Sequence, residues 1–172
     1  MSKYKGPMTA KELMVRLEND PEYCQRRARK DKKLKQHNEA CKRLSKPMLD
    51  ELREHSYVGD SINDIVNKYA PLPRDLVEML LQWIERISGT FVEDMSIEAR
   101  VVQIWVRALA AAKDQFDGQI LVKCFERTNS ESLKWAVANT VALTKPHSID
   151  DWLTEKLKNE YWGKTLRDLG FN

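Results

Sequence analysis

The 172-residue chain is predicted to be all-α. Three observations carry that expectation. Helix-starting and helix-stopping residues recur at a steady beat along the chain, apolar residues between them return at intervals of three and four, and no stretch alternates apolar and polar residues long enough to make a strand.

The elements follow in order. Thr9 with Glu12 forms a capping box, so a first helix is expected from about residue 10 to 18. Asp20 followed by Pro21 starts the second, because proline at the first helical position loses no needed hydrogen bond. That helix is expected to reach about residue 45, and Pro47 to open a separate short helix ending near His55. Ser61 with Asp64 caps a short helix through Lys68, and the PLPR stretch at 71–74 marks the clearest boundary in the chain.

Beyond it, RDLVEMLLQWIERIS (74–88) reads as an amphipathic helix and 89–95 as a loop. Ser96 is expected to cap IEARVVQIWVRALAAAK, through about Lys113. Asp117 and Gly118 lead into QILVKCFER, and Ser130 caps SLKWAVANTVALT. Ser148 with Asp151 forms a second box ahead of DDWLTEKLKN, and the last helix, YWGKTLRDL, is closed by Gly170. Two parts are therefore expected: a helical amino-terminal cap over residues 1–70, which includes a long basic helix, and a helical region over 71–172.

Composition bounds the class. A chain of this length can bury roughly two-thirds of its unfolded surface, enough for a real core. The first residues, MSKYKGPMTAKEL, have no hydrophobic stretch behind their charges, and no apolar run is long enough to span a bilayer, so a soluble, cytoplasmic protein is expected. Three widely spaced cysteines, Cys24, Cys41 and Cys124, suggest neither a disulfide framework nor a zinc knuckle.

Charge is unevenly placed. Between Arg26 and Lys46 there are ten Lys or Arg against Asp31 and Glu39, which is +8 where the whole chain is +3, so the remainder sums to −5. A basic segment on a mildly acidic body differs from a uniformly basic nucleic-acid-binding protein. Within the segment Leu34, His37, Cys41 and Leu44 form a narrow inward face, and the basic residues Arg26, Arg27, Arg29, Lys30, Lys32, Lys33 and Lys35 take the rest. They are a candidate phosphate-binding patch. Set against that reading are the apolar stripe, the lack of aromatics for stacking on bases and the acidic remainder, all of which fit a solvated helix face. The stripe is also too small to anchor a membrane helix.

An internal repeat is visible. Ala99-Arg100-Val101-Val102 with Ala108-Leu109 aligns with Leu133-Lys134-Trp135-Ala136 with Ala142-Leu143 at an offset of 34. In the preceding helices Glu85-Arg86 aligns with Glu126-Arg127 at an offset of 41, which places seven extra residues, about GTFVEDM, in the first inter-helix loop. Helix pairs at this spacing mark an α-solenoid, in which each unit buries its apolar face only by stacking on its neighbours.

On SIEARVVQIWVRALA and SESLKWAVANTVAL the chain resembles the HEAT-repeat family, over about residues 73–170. The resemblance implies a short right-handed α-solenoid whose second helices line a concave, ligand-holding surface. There Arg100, Gln103 and Arg107, three and four residues apart, with Lys134 as the repeat equivalent of Arg100 and Trp135 beside it, would hold a partner with an acidic surface. The same resemblance offers a structural role for Arg100 and Lys134, since the family's basic position braces the neighbouring repeat. Five tryptophans lie in this half, and Trp135 alone is singled out because it leaves the Leu133/Val137/Val141 stripe.

Catalytic chemistry finds little support. His37 and Cys41 are spaced as two metal ligands but have no recognisable third, and no Gly-rich phosphate loop, nucleophile elbow or HExxH is present. No catalytic residue, metal or cofactor is assigned. The expected function is a non-enzymatic scaffold of bacterial type that clasps a protein partner, in the manner of an immunity or inhibitor protein. The competing expectation is nucleic-acid binding, including likeness to HEAT-like alkylpurine DNA glycosylases, whose catalytic positions cannot be matched here residue by residue.

Overall fold

The structure is a computed structural model that describes residues 8–89 and 97–171. Among the described residues there are nine α-helices and no strand: α1 (Ala10–Glu18), α2 (Pro21–Glu54), α3 (Ile62–Tyr69), α4 (Arg74–Ser88), α5 (Ile97–Ala108), α6 (Gln119–Arg127), α7 (Glu131–Thr144), α8 (Asp150–Lys158) and α9 (Glu160–Asp168), with a 3₁₀ turn at Leu109–Ala111. The contacts divide the chain into two units, one ending at Ala40 and one beginning at Cys41, and α2 contributes to both. Residues 41–70, grouped above with the amino-terminal cap, thus share a unit with 71–171.

Local cap chemistry builds the first unit. Thr9 N–H donates to Glu12 Oε2 (2.9 Å) and Glu12 N–H to Thr9 Oγ1 (3.3 Å), the reciprocal box that spares two orphan donors. Asp20 Oδ1 then accepts the amides of Glu22 and Tyr23, so α2 starts where Asp20-Pro21 placed it. No residue of α1 is buried. Leu34 corrects the expected inward stripe: it is 49% exposed, whereas His37, Cys41 and Leu44 are partly buried. One apolar residue per turn among lysines is too narrow a stripe to commit that end of α2 to burial.

Pro47 does not start a new helix; it lies inside α2, which runs unbroken for 34 residues. Proline removes one donor but leaves the neighbouring turns able to bond, and burial of Met48 and Leu52, both 0% exposed, holds the following turns in place.

In the second unit α5 is central, packing on α3, α4 and α7, while α4 packs on α6, α6 on α7 and α8 on α9. Its core includes Leu76, Leu80 and Ile84 of α4, Val102, Trp105 and Val106 of α5, Leu121 and Phe125 of α6, and Leu133, Val137 and Val141 of α7. Each large apolar side chain so enclosed contributes about 1.5–3 kcal/mol. Buried Thr140 ties two of these helices through its hydroxyl, which donates to the Val106 carbonyl (2.9 Å).

Two isolated parallel bridges join segments that flank these helices. Leu72 N–H donates to Ala111 O (2.7 Å) and Lys113 N–H to Leu72 O (3.0 Å), joining the segment before α4 to the one after α5. Gly118 N–H donates to His147 O (3.0 Å) and His147 N–H to Phe116 O (3.1 Å), joining the segments before α6 and after α7. The bonding roles are exchanged between them: Leu72, ahead of α4, uses both its backbone groups in the first bridge, and His147, after α7, does so in the second. In the second helices burial aligns at an offset of 35: Val101, Val102, Trp105 and Val106 match Ala136, Val137, Thr140 and Val141 in register, all buried. Residue types thus align at an offset of 34 and these buried faces at 35, because matching residue types does not ensure matching faces. The difference in length between the pairs lies partly in α4 itself, which has 15 residues against 9 in α6.

Other ends also differ from expectation. α5 gives way to the 3₁₀ turn at Leu109 and does not continue to Lys113, since Ala111 and Lys113 are engaged by Leu72. The Ser148/Asp151 box does not form: Ser148 has φ 66°, its Oγ pairs with His147 Nδ1 (2.8 Å), and buried Ile149 precedes the helix as an N-cap without a side-chain bond. Ser130 holds the N-cap position of α7 but its hydroxyl meets Ser132 instead (3.1 Å). The expected Ser96 cap and most of the 89–95 loop lie outside the described residues.

Candidate functional site

Of the five residues expected to hold a partner, three stand at the surface. Arg100 and Arg107 are exposed on α5 and make no ion pair among the described residues. Trp135 on α7 is 42% exposed. The other two are engaged within the fold: Gln103 Nε2 donates to Ser132 O (3.2 Å), and Lys134 Nζ lies 5.6 Å from the centre of the Phe125 ring. Both are braces between helices.

At the offset of 35, Arg100 corresponds to Trp135 rather than Lys134, and Ala108 to Leu143. Arg100 and Trp135 are both exposed, on helices that pack against each other. Leu143, 64% exposed, stands two turns beyond Trp135 on α7.

Trp135 is backed by a chain of rings. Its centroid is 6.1 Å from that of Trp162, which lies 4.8 Å from Phe125 and 5.2 Å from Tyr161, itself 55% exposed. Trp162 and Phe125 are buried, so the two exposed aromatics rest on a fixed base. Rigid aromatics that lose little entropy on contact are favoured anchors for a partner.

The remaining tryptophans are structural. Trp105 is core, at 1% exposed. Trp83 Nε1 donates to Glu51 (2.9 Å), with Arg86 stacked over its ring, and Trp152 Nε1 donates to Glu126 (2.9 Å). These bonds link α2 to α4 and α6 to α8, and Lys123–Glu85 (2.9 Å) links α6 to α4.

In the basic run Arg26, Arg27, Arg29, Lys30, Lys32, Lys33 and Lys35 are all exposed. Among the described residues only Arg27 has an acidic neighbour, Asp31 at 4.0 Å. His37 and Cys41 do not join a third ligand: no group of three or more His, Cys, Asp or Glu placed to hold a metal occurs among the described residues.

A cleft of about 550 Å³ between α2, α3 and α5 went unread in the sequence. Its floor has Leu49, Ile62, Ile104 and Trp105, and its rim Lys42, Arg43, Lys46, Asp50, Arg53 and Asp60. One signal was available: 42, 46, 49 and 53 recur at three- and four-residue intervals on one helix. Dividing α2 at Pro47 hid it.

Comparison of the chain with protein-family models, curated proteins and solved structures finds no match in any of the three. Among the described residues no helix is long and apolar enough to cross a membrane.

Proposed function

We propose that the protein is a non-enzymatic interaction scaffold, built as a short HEAT-like solenoid of helix pairs, that grips one protein partner on its concave face through the exposed residues of α5 and α7. The observation that carries this reading is the exposure of two guanidiniums on α5, Arg100 and Arg107, which make no ion pair among the described residues, together with two exposed apolar side chains, Trp135 and Leu143, on α7, the helix packed against it. Apolar anchors supply affinity by desolvation, and neighbouring cations select a partner with an acidic rim. An immunity or inhibitor role, masking an acidic effector, is the finer form of the same proposal.

The test is affinity capture from native lysate followed by gel filtration, with wild type beside Arg100→Glu/Arg107→Glu and Trp135→Ala. A stoichiometric protein partner is expected with wild type and its loss with both variants, each still folded by circular dichroism. Recovery of nucleic acid alone, or a partner held equally by all three proteins, refutes the proposal.

A second reading rests on the seven exposed basic residues from Arg26 to Lys35, which favour nucleic-acid binding. If they contact phosphates, duplex affinity falls steeply with salt and is abolished by charge reversal at Arg29, Lys32, Lys33 and Lys35. Weak binding that ignores both changes removes this alternative.

A further inference from the structure

We infer that the cleft between α2, α3 and α5 binds a small amphiphilic carboxylate, an aliphatic or aryl acid, with its apolar body on the floor and its carboxylate at the Lys42/Arg43 end. Size is the first consideration. About 550 Å³ falls within the range of small-molecule sites. Along α2 the rim from Lys42 to Arg53 spans eleven residues of rise, about 16 Å. A second protein would need roughly 800 Å² of contact on each side, more than such a cleft offers.

The floor is preformed. Trp105 is 1% exposed, and its ring meets Trp83 edge-on at 6.2 Å; Trp83 is in turn fixed by its bond to Glu51 (2.9 Å). Ile62 is likewise buried. Leu49 and Ile104 are partly exposed, so the floor is apolar surface left wet, which an apolar body would cover favourably.

The rim decides the charge of the ligand. Asp50 is already shared by Lys46 (2.8 Å) and Arg53 (2.9 Å), which satisfies that carboxylate and leaves the triplet net positive. Lys42 and Arg43 make no ion pair among the described residues. Asp60 is the one other acidic group on the rim, and it is carried by the segment before α3 rather than by α2. A cationic ligand would meet four like charges, and a neutral one would leave Lys42 and Arg43 unused.

Decanoate is the probe, titrated into the full chain by calorimetry and by methyl chemical-shift mapping. One-to-one saturable binding is expected, with shifts concentrated at Leu49, Ile62 and Ile104. Decan-1-ol and decyltrimethylammonium are expected to bind roughly tenfold more weakly or worse, and Lys42→Ala/Arg43→Ala to weaken decanoate by a similar factor. No saturable binding, equal affinity for decan-1-ol, or shifts centred on other methyls overturns the inference. An unchanged affinity in the Lys42/Arg43 variant does so too, and since both residues are exposed that variant is expected to fold as wild type. The Arg100, Arg107 and Trp135 variants stay outside this test, so failure here leaves the proposed partner face standing.

Discussion

Lys156 Nζ lies 2.8 Å from Glu126 Oε1, and the same oxygen accepts the indole N–H of Trp152 at 2.9 Å. This three-residue junction fastens α8 to α6. Burial alone would raise the Glu126 carboxyl, but hydrogen bonds from Lys156 and Trp152 and the charges of Lys156 and Lys134 outweigh it and hold it below its ordinary 4.5. A depressed carboxylate adds stability that is present above the unfolded-state value and lost as pH falls through the folded one. Glu126→Gln keeps an acceptor for Trp152 and removes the charge. With Glu126 half-exposed, the expected cost is about 1 kcal/mol at pH 7, or a drop of roughly 2–4 °C in Tm. Thermal melts at pH 7 and pH 3 check it: the gap between variant and wild type narrows in acid.

Gly163 lies in α9, where alanine would ordinarily improve the helix by about 1 kcal/mol. Here the sign reverses. A Cβ at this position would collide with the Leu157 carbonyl oxygen, which also accepts a bond from Arg167 Nη1 (3.1 Å). Backbone cannot yield as a side-chain tip can, so Gly163→Ala is expected to destabilise by about 1–3 kcal/mol. Urea denaturation reads this as a lower midpoint with unchanged slope.

What could be read in the sequence was what depends on near neighbours. The starts at Thr9, Asp20 and Ser61 were legible because a cap satisfies amides two or three residues away, whatever the rest of the chain does. Pro47 and Ser148 were misread because distant residues decide them: burial of Met48 and Leu52 carries α2 past its proline, and enclosure of Ile149 displaces the expected cap. Trp135 was legible as a surface residue since it departs from its helix's apolar stripe. Its register against Arg100 was not, because residue types align at 34 while buried faces align at 35. The cleft brings together Lys42, Ile62 and Ile104, from three helices, and no local pattern announces such a meeting.

The three cysteines should separate by reactivity. Cys24 is exposed, Cys41 is partly buried with its thiol pushed up by burial, and burial pushes the Cys124 thiol up to about 12. Only the thiolate reacts, so with a disulfide reagent at pH 8 one thiol is expected to react fast, one slowly and the third only after denaturant is added. Mass mapping should assign them as Cys24, Cys41 and Cys124 in that order. Early labelling of Cys124 in the folded protein would contradict its place in the core.

Tyr57 and Asp75 tie the segment after α2 to the start of α4, the phenol donating to Asp75 Oδ2 at 2.7 Å. Burial first, then the bond to Asp75 and that carboxylate's charge, pushes the Tyr57 phenol up to about 12. The neighbouring Tyr69, whose ring stands edge-on at 5.1 Å, moves the other way: the amide of Val58 donates to its oxygen and lowers it. A phenol whose folded value lies above its unfolded one adds stability that is complete below about pH 10 and lost as pH rises through about 12. Tyr57 should therefore ionise near pH 12 in a spectrophotometric titration, and Tyr57→Phe should delete that step. The variant should also flatten the fall in stability between pH 10 and 12, because a phenylalanine has no proton for the unfolded chain to release. A wild-type titration with all phenols ionised by pH 11 would mean that Tyr57 is neither enclosed nor bonded to Asp75.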